Sequence, residues 1–379
     1  KAALTIREGA EPGARTYGRG GTLARALADG RASHWLRGQL ATEARVMVPV
    51  AGAMRIVADI RAHADGAVWA DVQFANDAAM GPSGGTMAYD AEIALDGRSV
   101  RREAGLRQAQ YQIWHAEIRT DGAPEVDIVP DADALARTGA VHSYDRSLGV
   151  STRLLDAARQ ILAGREMGPL GSADVTKYMP TTGGRADIGP TTLWNAAWLV
   201  SGHPDFARLA LAQSDASGSV PWNFRDARTG AALDPRAYPR LWADYRAGQW
   251  GTQALTQPPT AESGWAPDSA HAPQLSLVPY IATGARYRYD RLEAQALFAV
   301  LSLNPGYRRD AAGVVVSETE QVRAQAWAFR AVDDAAFAAP DDAPLREFVA
   351  QARRNCVDHW LAMVRAGAGG EARGFVPGA

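Results

Sequence analysis

The 379-residue chain has very little cysteine and lysine and no long apolar run. Its single cysteine, Cys356, excludes an intrachain disulfide and a zinc site built from several cysteines. Lysine occurs only at Lys1 and Lys177, so nearly all of the 40 basic residues are arginine, against 42 acidic residues. This balance, without a basic stripe, argues against nucleic acid as the main partner. No run reaches the roughly 18 apolar residues of a membrane-spanning helix.

Signatures of several enzyme classes are also missing. The chain contains no G-x-x-x-x-G-K-[ST] or H-E-x-x-H pattern, and "GRGG" at 18–21 lacks the strand and acidic partner of a dinucleotide site. Cys356 and His359 have helical spacing, but nothing nearby activates the thiol, so we expect Cys356 to pack as a small buried residue. The sequence therefore predicts no cofactor and no metal.

Residues 1–142 show the alternation typical of β-strands. In "AVWADVQFAND" the alternate positions from Val68 to Phe74 are apolar. The stretch "MAYDAEIALDGRSVRR" indicates two strands around a turn at Asp96 and Gly97, and turn signals separate further short strands. We therefore expect an antiparallel β-sandwich domain in residues 1–142.

Residues 143–379 show helical periodicity, with at least seven helices that short loops make mostly antiparallel. A Pro- and Gly-rich segment at 218–266 interrupts them. Its four tryptophans argue against disorder; they are Trp222, Trp242, Trp250 and Trp265. A sheet followed by helices is the element order of an α+β fold.

The stretch "YMPTTGGRADIGPTTLW" at 178–194 is rich in conformationally special residues just before a predicted helix. We expect Gly189-Pro190 to start that helix. Asp187 is either its N-cap or a site residue. In the functional interpretation Arg185 binds a carboxylate through two parallel hydrogen bonds, and Tyr178 donates or accepts a proton.

The stretch "GWAPDSAHAPQLSLVPYIATG" holds the most informative pair, Asp268 and His271. Three residues apart at a helix start, they can share a face, and Asp268 can hold the imidazole tautomer that a general base requires. The alternative is a capping Asp beside a structural His. Trp265 and Tyr280 nearby are candidate substrate-binding residues.

A third group lies in "RAQAWAFR", where Arg323, Trp327 and Arg330 form one stripe of a helix. Guanidinium groups suit a uronate carboxylate and an indole suits a sugar ring, although a solvated helix face gives the same pattern.

Two weaker groups complete the candidate substrate-binding residues. In "PWNFRDARTG", Trp222 can stack on a sugar, while Arg225 and Asp226 more simply form a local salt bridge. In "VHSYDR", His142 lies at the predicted domain junction, where pockets are common.

The segments "YQIWHAEI", "YMPTTGGRADIGP", "PDSAHAPQLSLVPYIATGARYRYDRLEAQALF" and "RAQAWAFRAVDDAAFAAPDDAPL" together resemble bacterial and phage (α/α)-toroid polysaccharide lyases, in the manner of exo-acting rhamnogalacturonan lyases. This resemblance implies an N-terminal β-sandwich, a toroid of paired helices and a cleft at the toroid mouth near the sandwich. It also implies a Tyr or His base and an Arg that neutralises the uronate, which His271, Tyr178, Arg185 and Arg323 match by type. About four helical hairpins are present where a full toroid has six, so we expect an incomplete ring.

The sequence therefore favours an enzyme that cleaves an acidic polysaccharide by β-elimination, outside the cell, in the periplasm or on a virion. One alternative is a glycoside hydrolase that uses two carboxylates as acid and base. Its candidates are Asp145, Asp187, Asp226 and Asp268. Another alternative is a non-catalytic glycan-binding or virion structural module. In each case the expected partner is a polysaccharide or oligosaccharide, not nucleic acid or a membrane.

Overall fold

The computed structural model describes residues 2–8, 15–17, 28–30, 32–95, 98–120, 127–181, 183–316 and 321–367. A five-stranded antiparallel sheet contains β3 (Ser33–Arg37), β4 (Ala41–Ala51), β5 (Met54–His63), β6 (Val68–Asn76) and β10 (Gln112–Arg119) in the order β10-β6-β5-β4-β3. A four-stranded antiparallel sheet contains β1 (Ala2–Glu8), β2 (Arg15–Tyr17), β8 (Met87–Leu95) and β9 (Arg98–Gln108) in the order β2-β1-β8-β9. The turn predicted at Asp96 and Gly97 lies outside the described residues, but strands flank it on both sides as expected.

The two sheets share one apolar core, as in a sandwich. Val72, Phe74 and Trp114 from the five-stranded sheet pack in the same cluster as Tyr89 and Ile93 from β8. Because side chains alternate along a strand, the residues between them face the other way. That outer face of the five-stranded sheet is polar, and the helical part of the chain lies against it.

Eight α-helices lie in the described ranges: α1 (Ala132–Arg137), α2 (Thr152–Leu162), α3 (Leu193–Ser201), α4 (Pro204–Ala216), α5 (Leu277–Thr283), α6 (Arg286–Leu301), α7 (Val322–Ala338) and α8 (Arg346–Gly367). Helices α3 and α5 end at Gly202 and Gly284, whose left-handed φ values of 66° and 64° suit glycine. Pro204 is the first residue of α4, where its missing N–H costs nothing. The α+β class predicted from the element order is confirmed.

The segment 218–266 is mostly irregular but well packed. Trp222, Trp242 and Trp265 are buried, whereas Trp250 is 70% exposed. The two-residue strands β7 (Ala78–Ala79) and β11 (Arg225–Asp226) pair in parallel and join the segment to the sheet region. The prediction that its tryptophans order this segment is consistent with this packing.

Helix α6 is the centre of the molecule, since every residue from Tyr287 to Leu301 is buried. Its charged residues are paired across the interface with the sheet. Arg45 of β4 donates to Asp59 and to Asp290 of α6, each at 2.7 Å. Burial alone would raise the pKa of the Asp290 carboxyl, but the guanidinium groups of Arg45 and Arg225 outweigh it and hold that pKa below its usual range.

Within the described ranges, no helix has the length and apolar character needed to span a membrane.

Candidate functional site

The loop before α3 is held together by Arg185. Its Nε donates to Asp187 at 2.8 Å, its Nη1 to the Met179 carbonyl at 2.7 Å and its Nη2 to the His271 carbonyl at 3.0 Å. All three guanidinium nitrogens donate within the protein and the side chain is only 9% exposed, so these bonds favour a structural role over the predicted grip on a substrate carboxylate. Arg185 instead fixes this loop to the segment that carries His271.

Asp187 and Pro190 also differ from the expectation. The second oxygen of Asp187 accepts from the Thr176 backbone N–H at 2.9 Å, so the carboxylate does not cap α3. Helix α3 begins at Leu193, with Thr192 as its N-cap, which places Pro190 outside the helix. The reason is the Arg185 pair, which draws Asp187 back towards its own loop.

Tyr178 and Gly183 lie on the outer side of this loop. Tyr178 is 64% exposed and its backbone pairs with that of Ala266. A Cβ on Gly183 would lie 2.5 Å from Nη1 of Arg323, so a larger residue here would displace that guanidinium. The loop, the segment after Trp265 and helix α7 thus meet at one place.

His271 ends a short 3-10 turn, Ser269–His271, that packs against α7. Asp268 is the N-cap of this turn, and its carboxylate is hydrogen-bonded to both the Ala270 N–H and Nδ1 of His271. In the neutral imidazole this bond places the ring proton on Nδ1, because a carboxylate can only accept, and the lone pair is then on Nε2. No hydrogen-bond partner of Nε2 occurs among the described residues.

The stripe on α7, which comprises Arg323, Trp327 and Arg330, faces the region where the loop before α3 meets the turn that ends at His271. Arg330 donates to the carbonyl oxygens of Gly189 and Ala272, the latter at 2.6 Å, and its guanidinium lies 4.6 Å from the centre of the Trp327 ring. Arg323 and Trp327 are half-buried. Arg330 therefore acts as a second brace, whereas Arg323 donates weakly to the Gln321 side chain at 3.5 Å and Nε1 of Trp327 has no acceptor among the described residues.

Asp334, one turn beyond Arg330, extends this stripe. Nε2 of Gln274 donates to its carboxylate at 2.6 Å. Burial raises the pKa of Asp334 to about 7, and the nearby Arg330 and Gln274 offset this only in part. A carboxyl group that exchanges its proton near neutral pH is suited to acid–base catalysis. We define the His271 site as Tyr178, Asp268, His271, Arg323, Trp327 and Asp334.

Other predicted residues lie outside the His271 site. Trp222 is fully buried, and its Nε1 donates to the Ser217 carbonyl, so it has no ring face for a sugar. Trp265 is also a core residue, 6% exposed. Tyr280 packs against Tyr289, and burial raises its pKa. His142 is exposed, between α1 and the turn at 146–148.

Arg225 and Asp226 do not form the local salt bridge expected from the sequence. Arg225 lies between Asp77, Asp290 and Glu293, at 3.7 to 3.8 Å from each carboxylate. Asp226 accepts instead from Arg228 and from the Tyr238 hydroxyl. The alternation of β11 explains the difference, because consecutive residues of a strand point to opposite faces.

A cavity of about 960 Å³ lies between the outer face of the five-stranded sheet and helices α4, α5 and α6. Its walls include Trp35 of β3, Trp69 of β6 and Arg286 of α6. None of its lining residues belongs to the His271 site. We call it the interface cavity. A smaller cavity of about 110 Å³ adjoins it, since His115 and Asp215 line both.

His115 of β10 stands at the junction of the two cavities. Its Nδ1 is 2.9 Å from Asp71 of the sheet, its Nε2 is 3.1 Å from Asp215 of α4, and its ring stacks on Tyr287 at 3.8 Å. Burial alone would lower the pKa of His115, but the two carboxylates outweigh it and raise that pKa well above its usual value. The imidazolium thus links the sheet to the helices.

Two of these features escaped the sequence analysis for different reasons. Asp334 follows Arg323, Trp327 and Arg330 at helical spacing, so extending the stripe by one turn finds it. The pairing of His115 with Asp71 and Asp215 gives no local signal, because the three residues lie in different elements. No cluster of three or more His, Cys, Asp or Glu side chains able to hold a metal occurs in the described ranges.

No protein-family model matches the chain, and neither a curated protein sequence nor a solved structure is significantly similar to it. The resemblance to toroid lyases therefore stays a prediction, and function is argued from the site's own chemistry.

Proposed function

We propose that the protein is a carbohydrate-active enzyme that cleaves an acidic, uronate-containing polysaccharide by β-elimination, with His271 as the base. The observation that carries this proposal is a contrast between two histidines. Both ring nitrogens of His115 are bonded to carboxylates, so that ring cannot accept a proton. His271 has only Nδ1 bonded to a carboxylate, and Nε2 keeps its lone pair.

The elimination balances as follows. Nε2 of His271 takes the proton from the ring carbon next to the uronate carboxylate. The electron pair forms a carbon–carbon double bond, and the bond between the next ring carbon and the glycosidic oxygen breaks. The departing oxygen takes a proton from an acid, for which Tyr178 and Asp334 are the candidates, and Asp268 stabilises the imidazolium that forms.

The substrate class follows from the groups around His271. The negative charge that develops on the uronate requires a cation, and Arg323 supplies one beside the loop at Gly183. The indole of Trp327 offers a surface for a sugar ring. Buried nitrogens of the stripe, Nε of Arg323 and Nε1 of Trp327, lack an acceptor in the described part of the chain, and an anionic sugar supplies acceptors.

We also infer that the helical part is an incomplete (α/α) toroid. Consecutive helices pack as pairs, α3 with α4, α5 with α6 and α7 with α8, and α6 also packs on α7. These three successive hairpins are fewer than the roughly four expected from the sequence and than the six of a full ring.

A second candidate function is glycoside hydrolysis, and Asp334 favours it. The four aspartates expected from the sequence are each engaged: Asp145 caps the turn at 146–148, Asp187 binds Arg185, Asp226 binds Arg228, and Asp268 binds His271. Asp334 has the raised pKa that a general acid needs.

The test is a panel of acidic polysaccharides, followed by the absorbance of unsaturated uronates and by reducing ends. The proposal expects both signals to rise, and His271→Ala to lower the rate by about 10²- to 10⁴-fold, the usual contribution of a general base. His34→Ala, an exposed histidine on β3, is the matched control and should keep the rate. Reducing ends without absorbance would indicate hydrolysis, and silence in both assays would favour a binding or structural module.

A further inference from the structure

The interface cavity has the size and position of a ligand site. Its volume of about 960 Å³ is at the upper end of the roughly 300–1,000 Å³ of small-molecule pockets. It lies between two parts of the molecule, where such pockets are common. The side chains of Glu117 and Arg208 in its wall are 48% and 53% exposed, so the cavity opens to solvent. This space is large enough for several sugar rings.

The walls carry a small excess of positive charge. Six arginines line the cavity: Arg61, Arg101, Arg119, Arg208, Arg286 and Arg288. Five carboxylates line it as well: Glu43, Asp59, Asp71, Glu117 and Asp215. With the imidazolium of His115 the lining has seven cations and five anions, and Arg101, Arg208 and Arg286 also pair with carboxylates outside the lining, namely Glu103, Asp205 and Asp342. A ligand with one or a few negative charges fits this balance.

Two buried donors in this wall lack an acceptor. Nε of Arg286 and Nε of Arg288 are inaccessible to water and have no hydrogen-bond partner in the part of the chain that the structure describes. Arg288 is 4% exposed and its other nitrogens bind Asp215 and Glu117 at 3.1 and 3.5 Å. An acceptor supplied to either Nε would relieve the cost of an unmade hydrogen bond.

Aromatic surfaces lie at both ends of the same wall. The guanidinium of Arg286 is 5.7 Å from the centre of the Trp35 ring, and that of Arg119 is 4.1 Å from the centre of the Trp69 ring. Trp and Arg side by side recognise a sugar ring together with its carboxylate. The wall carboxylates can accept from sugar hydroxyls, which polyanions without hydroxyls cannot exploit.

We propose that the interface cavity is a second carbohydrate site, which binds a short acidic oligosaccharide independently of the His271 site. Carboxylates of the ligand bind the arginines, its hydroxyls bind the wall carboxylates, and one of its rings lies against Trp35. This proposal does not rest on the elimination chemistry, because none of its residues belongs to the His271 site.

The test is calorimetric titration of the full chain carrying His271→Asn, which prevents turnover by the proposed base. The ligands are uronate tri- and tetrasaccharides and the same oligosaccharides with their carboxyl groups reduced to alcohols. We expect the acidic forms to bind, and the reduced forms to bind at least about tenfold more weakly, which corresponds to the loss of one charge-assisted contact.

Variants locate the site. Trp35→Ala and Arg208→Gln should each weaken binding several-fold, and Arg208 is exposed enough for its variant to fold. Trp250→Ala, a 70% exposed tryptophan outside the cavity, is the matched control and should bind like the parent. No binding at millimolar ligand, or binding unchanged by both cavity variants, overturns the proposal. Binding that persists while His271→Asn is inactive separates this site from the proposed catalytic one.

Discussion

Asp334→Asn tests whether the carboxyl on α7 is held neutral by burial. Burial raises the pKa of Asp334 from 3.8 to about 7, because Arg330 and Gln274 compensate only part of the desolvation. Ionisation of this group therefore opposes folding. Since the folded-state pKa lies above the unfolded one, the stabilising contribution of the protonated form is full below pH 3.8 and is lost as the pH rises through about 7.

The size of the expected stability change follows from the shift in the pKa of Asp334. About three pKa units at 1.36 kcal/mol each give a cost of about 4 kcal/mol above pH 7. At pH 5 the wild type carries less than half of this cost and at pH 8.5 nearly all of it. Asparagine cannot ionise and can still accept from Gln274. We therefore expect Asp334→Asn to gain about 3 kcal/mol in the free energy of unfolding, relative to the wild type, between pH 5 and pH 8.5.

Urea unfolding of both proteins at the two pH values measures this difference. Asp333→Asn is the matched control: its side chain is 46% exposed beside Arg353, and its effect on stability should vary little between the two pH values. If Asp334→Asn destabilises the protein equally at pH 5 and pH 8.5, Asp334 is an ionised partner of Arg330 and the argument from burial fails.

Two further substitutions test the contact between sheet and helices. His115→Gln should lower the free energy of unfolding more at pH 6 than at pH 10. Because the pKa of His115 is raised in the folded state, the stabilising contribution of the imidazolium is full below about pH 6.5 and is lost as the pH rises through the folded-state pKa. Equal losses at the two pH values in urea unfolding would contradict this. Gly218→Ala places a methyl group against the Tyr287 hydroxyl and 2.6 Å from the Ile113 carbonyl, so we expect a loss of about 1–3 kcal/mol in urea. Gly168→Ala meets no atom within 4 Å and should leave stability nearly unchanged.

Local chemistry accounts for the parts of the fold that the sequence predicts well. Gly202 and Gly284 end helices because their left-handed φ suits no side chain, and Pro204 starts one because its φ is already helical. The apolar positions of β6 face the shared core as their alternation predicts. In contrast, Pro190 misled the prediction of α3, because the Arg185 pair with Asp187 holds that stretch in the preceding loop.

The site is predictable only in part, for a physical reason. Helical spacing brings Arg323 and Trp327 to one face, and the i, i+3 spacing brings Asp268 to His271. These spacings do not distinguish an arginine that stabilises the fold from one that binds a ligand. Arg185 and Arg330 differ from Arg323 only in the carbonyl oxygens that tertiary packing brings within reach, which no local pattern encodes.

The alternation of residues along the strands predicts the apolar core of the sandwich, but it does not predict the interface cavity on the other face of the sheet. A strand with one apolar and one polar face is typical of a sheet that has water on one side. Here the polar face is covered, and its charges are neutralised by partners from the neighbouring strand and from a helix, as Asp71 and Asp215 do for His115. Buried charges require such partners, so the helices that supply them are fixed in position relative to the sheet.

Helix α6 has buried polar contacts near both the interface cavity and the His271 site. Arg288, near its start, binds Asp215 in the wall of the interface cavity. Two turns later, Gln295 donates to the carbonyl of Pro273, in the segment that follows His271. Between them, Asp290 is neutralised by Arg45 from the sheet. Helix α6 therefore contributes a buried polar contact to the wall of the interface cavity and another to the segment after His271, although the two sites share no residue.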